Sequence, residues 1–232
     1  MTTQIILYSS PISDCSGRLR IALNLKGLEY DTVPVSLRHK QNDDPKYLHI
    51  NPSRTVPTLT IKLSQGSDEQ EPVRWTQSVA ALEFLDEAFP NTRQLLPPTY
   101  HPIDRARVRS LVNIVATDIH PLTTHRVGRE IVARFPCPES KLAEASGNSK
   151  WDRYWIERGL ATYEEAVKVT AGKYSVGDEV TLADVCLVPE LWTAERLGVP
   201  ISEYPTVFKI YGTLSLMTQI KSARQDPSLE LE

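Results

Sequence analysis

The sequence predicts an α/β domain over residues 1–89 and an all-helical domain over residues 102–232, joined by a linker at 90–101. Three observations carry this reading. The first 35 residues alternate strand, helix and strand patterns. Four of the chain's 17 prolines then crowd between Pro90 and Pro102, which breaks any regular element. Beyond them the strand patterns vanish and only helical stripes remain. A chain of 232 residues, 41% of them hydrophobic, is long enough for one large core or two small ones.

Each element has its own signal. Gln4–Tyr8 is a short apolar run suited to a buried strand. Arg18–Lys26 puts Leu19, Ala22 and Leu23 on one helical face, and Gly27 followed by Leu28 suits a helix stop with its apolar clasp. Tyr30–Val35 reads as the second strand, and Pro45–His49 as a short helical turn. Thr58–Leu63 alternates as a third strand and Val73–Trp75 gives a fourth, with the polar stretch 64–71 as the hairpin tip between them. From Gln77, residues Ala81, Leu82, Leu85, Ala88 and Phe89 fall at helical spacing. In the second domain Val108, Leu111, Val112, Val115 and Ile119 form one long stripe, and Ile156, Leu160, Tyr163 and Val167 another. Residues 171–180 are turn-rich. Thr181 and Asp184 then have the spacing of a capping box, with Val180 and Val185 as its apolar staple. A last helix is expected from Pro205 to Met217, followed by a loose tail from Ser222.

Composition excludes several classes. The net charge is −3 and no basic run exceeds two residues, so nothing suggests an electrostatic nucleic-acid binder. No apolar run approaches the roughly 18 residues a membrane span needs. The N-terminus lacks the pattern of a signal peptide and the C-terminus lacks a peroxisomal tripeptide. Cys15, Cys137 and Cys186 cannot all pair and show no metal-ligand spacing. With five scattered histidines, no metal is expected, and a reducing cytoplasm fits best.

Read together, LYSSPISDCSGRLRIALNLKGLEYDTVPV, NPSRTVPTL, TQSVAALEFLDE, IHPLTTHRV and SVGDEVTLADVCLVPELWTAERLGV resemble, in order and over almost the whole chain, the zeta-class glutathione transferases, the maleylacetoacetate isomerases. The resemblance implies a thioredoxin-like domain followed by a helical bundle. It implies glutathione as cofactor, a small electrophilic molecule as second substrate and a homodimer as the assembly. It also implies a cis bond at Val56–Pro57, whose preceding backbone would pair with the extended tripeptide as an added strand.

The chemistry of the residues agrees with those assignments. A tripeptide thiol with two carboxylates needs backbone partners, anion donors and a group that stabilises sulfur charge. Gln77 and Ser78 open a helix, where unpaired N–H groups and the positive dipole end attract a carboxylate; an ordinary N-cap is the plainer reading. Asn42, or its neighbour Gln41, matches the family position that contacts the glycine end. Ser13 matches the thiolate partner, since a hydroxyl at a helix N-terminus stabilises a sulfur anion. Cys15 matches the motif cysteine, either as a packed small residue or as a nucleophile in its own right. Asp14 replaces the usual second serine. It is either a helix-terminal acid or a proton carrier beside the sulfur. Arg18 and Arg20 are expected to form structural ion pairs.

For the second substrate, His120 and Arg126 are six residues apart and are expected to share a broad helical face, with Pro121 complicating the geometry. Arg196, near the end of the expected penultimate helix, matches an arginine that binds anionic substrates in the family. It is equally a C-terminal dipole partner. Ile12 and Gly17 depart from a frequent arginine and a bulky residue of the motif, and Trp75 sits just before the Gln-Ser pair. The expected activity is therefore glutathione-dependent cis–trans isomerisation of an electron-poor alkene, either maleylacetoacetate-like or a bulkier, more apolar enone. Conjugate-forming transfer and non-catalytic glutathione binding are the alternatives.

Overall fold

A computed structural model describes residues 2–65, 68–69, 71–134 and 150–230. Cys137 and residues 66, 67 and 70 of the expected hairpin tip lie outside them. The chain divides into two units, one running to Leu95 and taking in the segment from Met217, the other spanning Leu96–Leu216.

In the first unit, β1 (Thr2–Ser9) leads into α1 (Asp14–Lys26) and then β2 (Asp31–Pro34). A short α2 (Pro45–Leu48) follows, then β3 (Thr58–Gln65), β4 (Asp68–Glu69), β5 (Val73–Trp75) and α3 (Ser78–Ala88). β1 pairs parallel with β2 and antiparallel with β3, which in turn pairs with β4 and β5. This is a mixed sheet. The polar stretch expected as a hairpin tip thus contributes a strand of its own, because β3 runs on to Gln65 and pairs with Asp68 and Glu69. Ile5 and Leu7 oppose Ile61 and Leu59 in register, and all four are buried, as alternation requires. Leu19, Ala22 and Leu23 of α1 and Ala81, Leu82 and Leu85 of α3 are fully buried too. α1 stops as its sequence predicts. Gly27 takes a φ of +65°, and the Leu28 N–H donates to the Leu23 carbonyl at 3.0 Å.

The tail is a correction. The sequence assigned everything after 102 to the helical domain, with a loose end from Ser222. Instead α9 (Thr218–Ala223) packs on α1 in the first unit. Ile220 and Ala223 are buried. The Arg20 Nε donates to the Ala223 carbonyl at 2.8 Å, and Asn24 Nδ2 donates to the Gln219 carbonyl and the Ser222 hydroxyl, each at 3.1 Å. A helix of this length has only two inward positions, so its polar sequence concealed it.

The second unit is helical. It comprises α4 (Pro102–Asn113), α5 (His125–Arg134), α6 (Lys150–Val167), α7 (Leu182–Arg196) and α8 (Pro205–Leu214). The predicted stripe from Val108 to Ile119 is buried throughout, but it does not belong to one regular helix: Ile114–Ile119 is a π-helical turn. Gly159 of α6 accommodates it, since a Cβ there would overlap the Ile119 side chain. The capping box of α7 forms as expected, with Asp184 accepting from the Thr181 N–H at 2.8 Å and from the Ser175 N–H at 2.9 Å. Val180 and Val185 are both buried.

Glu164, 4% exposed, serves α8 from outside. Its carboxylate accepts from the Thr206 hydroxyl at 2.7 Å and from the Thr206 and Val207 N–H groups. Burial alone would raise its pKa, but these donors outweigh burial and hold it below the ordinary 4.5. A depressed folded-state pKa gives stability that is complete above the unfolded value and is lost as pH falls through the folded one. Wild-type stability in urea should therefore decline as the pH is lowered from 4.5, and Glu164→Gln should flatten that decline. Equal slopes for the two proteins would contradict the assignment.

Candidate active site

The first unit builds a site at one end of its sheet. Tyr8, near the end of β1, pairs with Thr58 at the start of β3, and Trp75 at the end of β5 pairs with Leu59. Continuing that register brings three segments to the same edge. They are the loop leaving β1 at Ser10, the Val56–Pro57 bond entering β3, and the Thr76–Gln77 stretch leaving β5. The Trp75 ring stacks on Phe84 with centroids 3.7 Å apart, which fixes the passage from β5 into α3.

Ser13 is the N-cap of α1. Its Oγ accepts from the Ser16 N–H at 3.2 Å. An oxygen that accepts in a cap still carries its own proton, so the hydroxyl remains able to donate to an anion at the helix mouth. Asp14 is the first residue of α1, where an acid is stabilised by the dipole. Its charge also acts on Arg20. Burial lowers the Arg20 pKa to about 10, a fall that the Tyr30 and Asp14 charges partly offset. These positions favour the helix-acid reading of Asp14. Cys15 is a half-buried cysteine in the first turn, outside any disulfide.

The two arginines of α1 are buried and make hydrogen bonds within the first unit. Arg20 Nη1 donates to the Ser9 hydroxyl at 2.7 Å and to the Ser10 carbonyl at 3.2 Å. Arg18, 1% exposed, donates from Nη1 to the Ser78 Oγ at 3.3 Å. That link ties α1 to the head of α3 and was missed in the sequence. Its signal was two arginines spaced i, i+2 in α1, which point to nearly opposite sides of the helix, so both cannot face solvent.

Gln77 occupies the N-cap position of α3 without a side-chain cap bond, so the plain capping reading does not hold. The first N–H groups of this 11-residue helix are left for another acceptor. Ser78 is buried and Gln77 exposed. The Val56–Pro57 peptide bond is cis, and among the described residues Val56 makes no backbone hydrogen bond. Its side chain packs with Val35 and Tyr47, and the Tyr47 hydroxyl donates to the Thr55 carbonyl at 2.6 Å. Gln41 and Asn42 brace the neighbouring loops. The Gln41 side-chain Oε1 accepts from the Ser36 N–H at 2.8 Å, and Asn42 Nδ2 donates to the Arg54 carbonyl at 2.9 Å.

In the second unit His120 and Arg126 do not share a helix face. His120 opens a short 3-10 turn, His120–Leu122, whereas Arg126 is exposed on α5. Pro121 lies within that turn, and Thr123 and Thr124 separate it from α5. His120 Nδ1 stands 3.9 Å from the Glu190 Oε2 in α7, a carboxylate that is completely buried and that sequence reasoning overlooked. A charged residue within the apolar run LVPELW was the available sign. Arg196 ends α7, exposed, and donates to the Thr193 hydroxyl. It suits the dipole at that helix end. Both α8 and α9 follow α7, so α7 is not the penultimate helix.

The chain matches the family model of the glutathione S-transferase N-terminal domain over residues 12–88 and that of the C-terminal domain over 155–214. It is 43% identical to a maleylacetoacetate isomerase of Emericella nidulans over 219 residues, covering 94% of this chain and 90% of that protein. It is 36% identical to the mouse maleylacetoacetate isomerase, covering 98% and 96%. A maleylacetoacetate isomerase of Anaeromyxobacter dehalogenans, solved with glutathione in its active site, superposes with a TM-score of 0.80 at 33% identity, covering 97% of each chain. A bacterial zeta-class maleylpyruvate isomerase superposes with a TM-score of 0.78 at 32% identity, covering 96% and 97%.

Ser13 combines a cap and a donor, and two substitutions separate them. Ser13→Ala should cost about 1 kcal/mol of stability through loss of the cap, whereas Ser13→Gly should cost only a few tenths. Urea denaturation reads the difference, and equal losses would remove Ser13 from the capping role.

Proposed function

Because the chain belongs to the glutathione S-transferase family, as a relative of its zeta-class maleylacetoacetate isomerases, we propose that it is a glutathione-dependent cis–trans isomerase of an electron-poor alkene. The observation that most supports this is the head of α1, where the Ser13 hydroxyl caps the helix and keeps a proton to give. Bound glutathione supplies a thiolate that adds reversibly to the conjugated carbon, so that the former double bond can rotate before the alkene is restored as trans.

The chain's own residues fit that cofactor. Ser13 donates to the sulfur, and the α1 N-terminus favours its charge. Val56, with uncommitted backbone groups beside the cis-proline, offers strand-type pairing to the cysteinyl portion. The uncapped start of α3, at Gln77 and Ser78, takes a carboxylate, and Arg18 holds Ser78 in place. Gln41 and Asn42 shape the loop assigned to the glycine end. His120, Arg126 and Arg196 are assigned to the second substrate.

Ile12 and Gly17 stand where the family motif carries an arginine and a bulky residue. The second substrate is accordingly maleylacetoacetate-like or a bulkier, more apolar enone. A cytoplasmic homodimer completes the reading. No helix among the described residues is long and apolar enough to cross a membrane.

Calorimetry should show glutathione binding to the intact protein. Gln77→Ala or Ser78→Ala should weaken it about tenfold, since a hydrogen bond to a charged group contributes about 1.5–3 kcal/mol. The absence of binding would end the proposal. With a panel of cis-enones, a catalytic amount of glutathione should convert many equivalents of substrate. One glutathione consumed per turnover would reassign the protein to conjugation. Ser13→Ala should cut turnover. If it does not, while Cys15→Ala abolishes turnover, Cys15 is the working sulfur.

A further inference from the structure

Arg54 has a backbone conformation that its side chain disfavours. Its φ is +58°, and among the described residues Arg54 and Lys40 are the non-glycine residues with positive φ. A Cβ there crowds the following carbonyl oxygen, so the conformation persists only where surrounding groups hold it. Arg54 stands just before Thr55 and Val56, and the Val56 backbone is assigned above to the cysteinyl portion of glutathione.

Hydrogen bonds set the direction of this segment. The Thr55 carbonyl accepts from the Tyr47 hydroxyl at 2.6 Å and from Asn51 Nδ2 at 2.8 Å, both on buried residues. In a trans peptide the carbonyl and the next N–H point in opposite directions. The Val56 N–H is thereby turned away from Tyr47 and Asn51. The peptide before it is fixed from further off. The Arg54 N–H donates to the Asn51 carbonyl, a local turn, at 3.1 Å. Its carbonyl accepts from Asn42 Nδ2 at 2.9 Å, across twelve residues. The Arg54 guanidinium comes only within 3.7 Å of Asp43, with both side chains exposed, and such a pair holds little. Asn42 itself has a braced base. It lies in the 3-10 turn Gln41–Asp43, where the Gln41 N–H donates to the Ser36 carbonyl at 2.9 Å and Oε1 accepts from the Ser36 N–H at 2.8 Å.

We propose that Asn42 is a positioning residue for glutathione: it holds Arg54 in the left-handed conformation, and Arg54 in turn aims the Thr55–Val56 peptide at the cysteinyl backbone. The Asn42 amide acts through the chain and does not touch the tripeptide. Without it Arg54 returns to a negative φ, and that peptide rotates. Glutathione then finds the competent loop in a fraction of the molecules, and its apparent affinity falls by that fraction. Glycine takes a positive φ without the Cβ penalty and needs no such support. The inference rests on the isomerase reading above, which assigns glutathione to this loop.

Calorimetry on full-length variants tests it. Asn42→Ala should weaken glutathione binding about fivefold, the worth of one hydrogen bond. Arg54→Ala removes the guanidinium but keeps a Cβ, so adding Asn42→Ala to it should again cost about fivefold. Arg54→Gly removes the need for support, and adding Asn42→Ala to it should leave the affinity where Arg54→Gly alone puts it. With a cis-enone that the wild-type protein turns over, the loss in Asn42→Ala should appear in KM for glutathione, with kcat at saturating glutathione retained. In the ligand-free protein, backbone couplings and carbon shifts of residue 54 should report the left-handed conformation, and Asn42→Ala should deplete it. Equal losses in the Arg54→Ala and Arg54→Gly backgrounds would mean that Asn42 contacts the tripeptide directly, and they overturn the proposal. An unchanged affinity in Asn42→Ala, or a negative φ at Arg54 in the wild-type protein, overturns it as well. Failure of the wild-type protein to bind glutathione would instead end the functional reading, and the conformation of residue 54, which needs no ligand, would still decide whether Asn42 sets the turn.

Discussion

The loop that leads into α1 depends on one buried cation, the guanidinium of Arg20. It grips the chain as it leaves β1, through the Ser9 hydroxyl and the Ser10 carbonyl, and it holds α9 through the Ala223 carbonyl. The loop that begins at Ser10 ends three residues later at the cap of α1, so fixing its first carbonyl fixes the direction from which Ser13 meets the helix. A guanidinium suits this task because its donors are planar and divergent. Its burial lowers its pKa to about 10, which still leaves it charged at neutral pH. Ser16 completes the arrangement, its Oγ accepting from the Ser10 N–H at 3.4 Å.

Much of the fold was legible because local and long-range requirements agree. Gln4–Tyr8 is apolar and sits centrally in the sheet between β2 and β3. Gly27 is needed where the backbone turns left-handed, and Thr181 and Asp184 cap the helix their spacing announces. Within the site, Asp14 as a first-turn acid could be argued from its few neighbours in sequence, whereas the cis bond at Val56–Pro57 followed only from the resemblance to the family.

The remainder was hidden because it is made between distant segments. The link from Arg18 to Ser78 joins residues 60 apart, and the bond from Arg20 to Ala223 spans 203. No periodicity reports such pairs. The break at Ile114 escaped notice because a π-turn keeps the same residues buried as an α-helix would over so short a stretch. Only Gly159, on another helix, records that Ile119 comes unusually close. Gln77 looked like a cap because polar residues at helix starts usually are; its missing cap bond makes the helix end available to a ligand instead.

The return of α9 to α1 has a consequence for biosynthesis. The segment that completes the first unit lies beyond residue 216, after the whole of the second. At about 5–20 residues per second, a ribosome needs roughly ten seconds to make the intervening stretch. During that interval Arg20 has its strand-side partners but lacks the Ala223 carbonyl, and α1 presents an uncovered face. The nascent chain therefore emerges in the order of its domains but matures out of order. The half that begins first is sealed last.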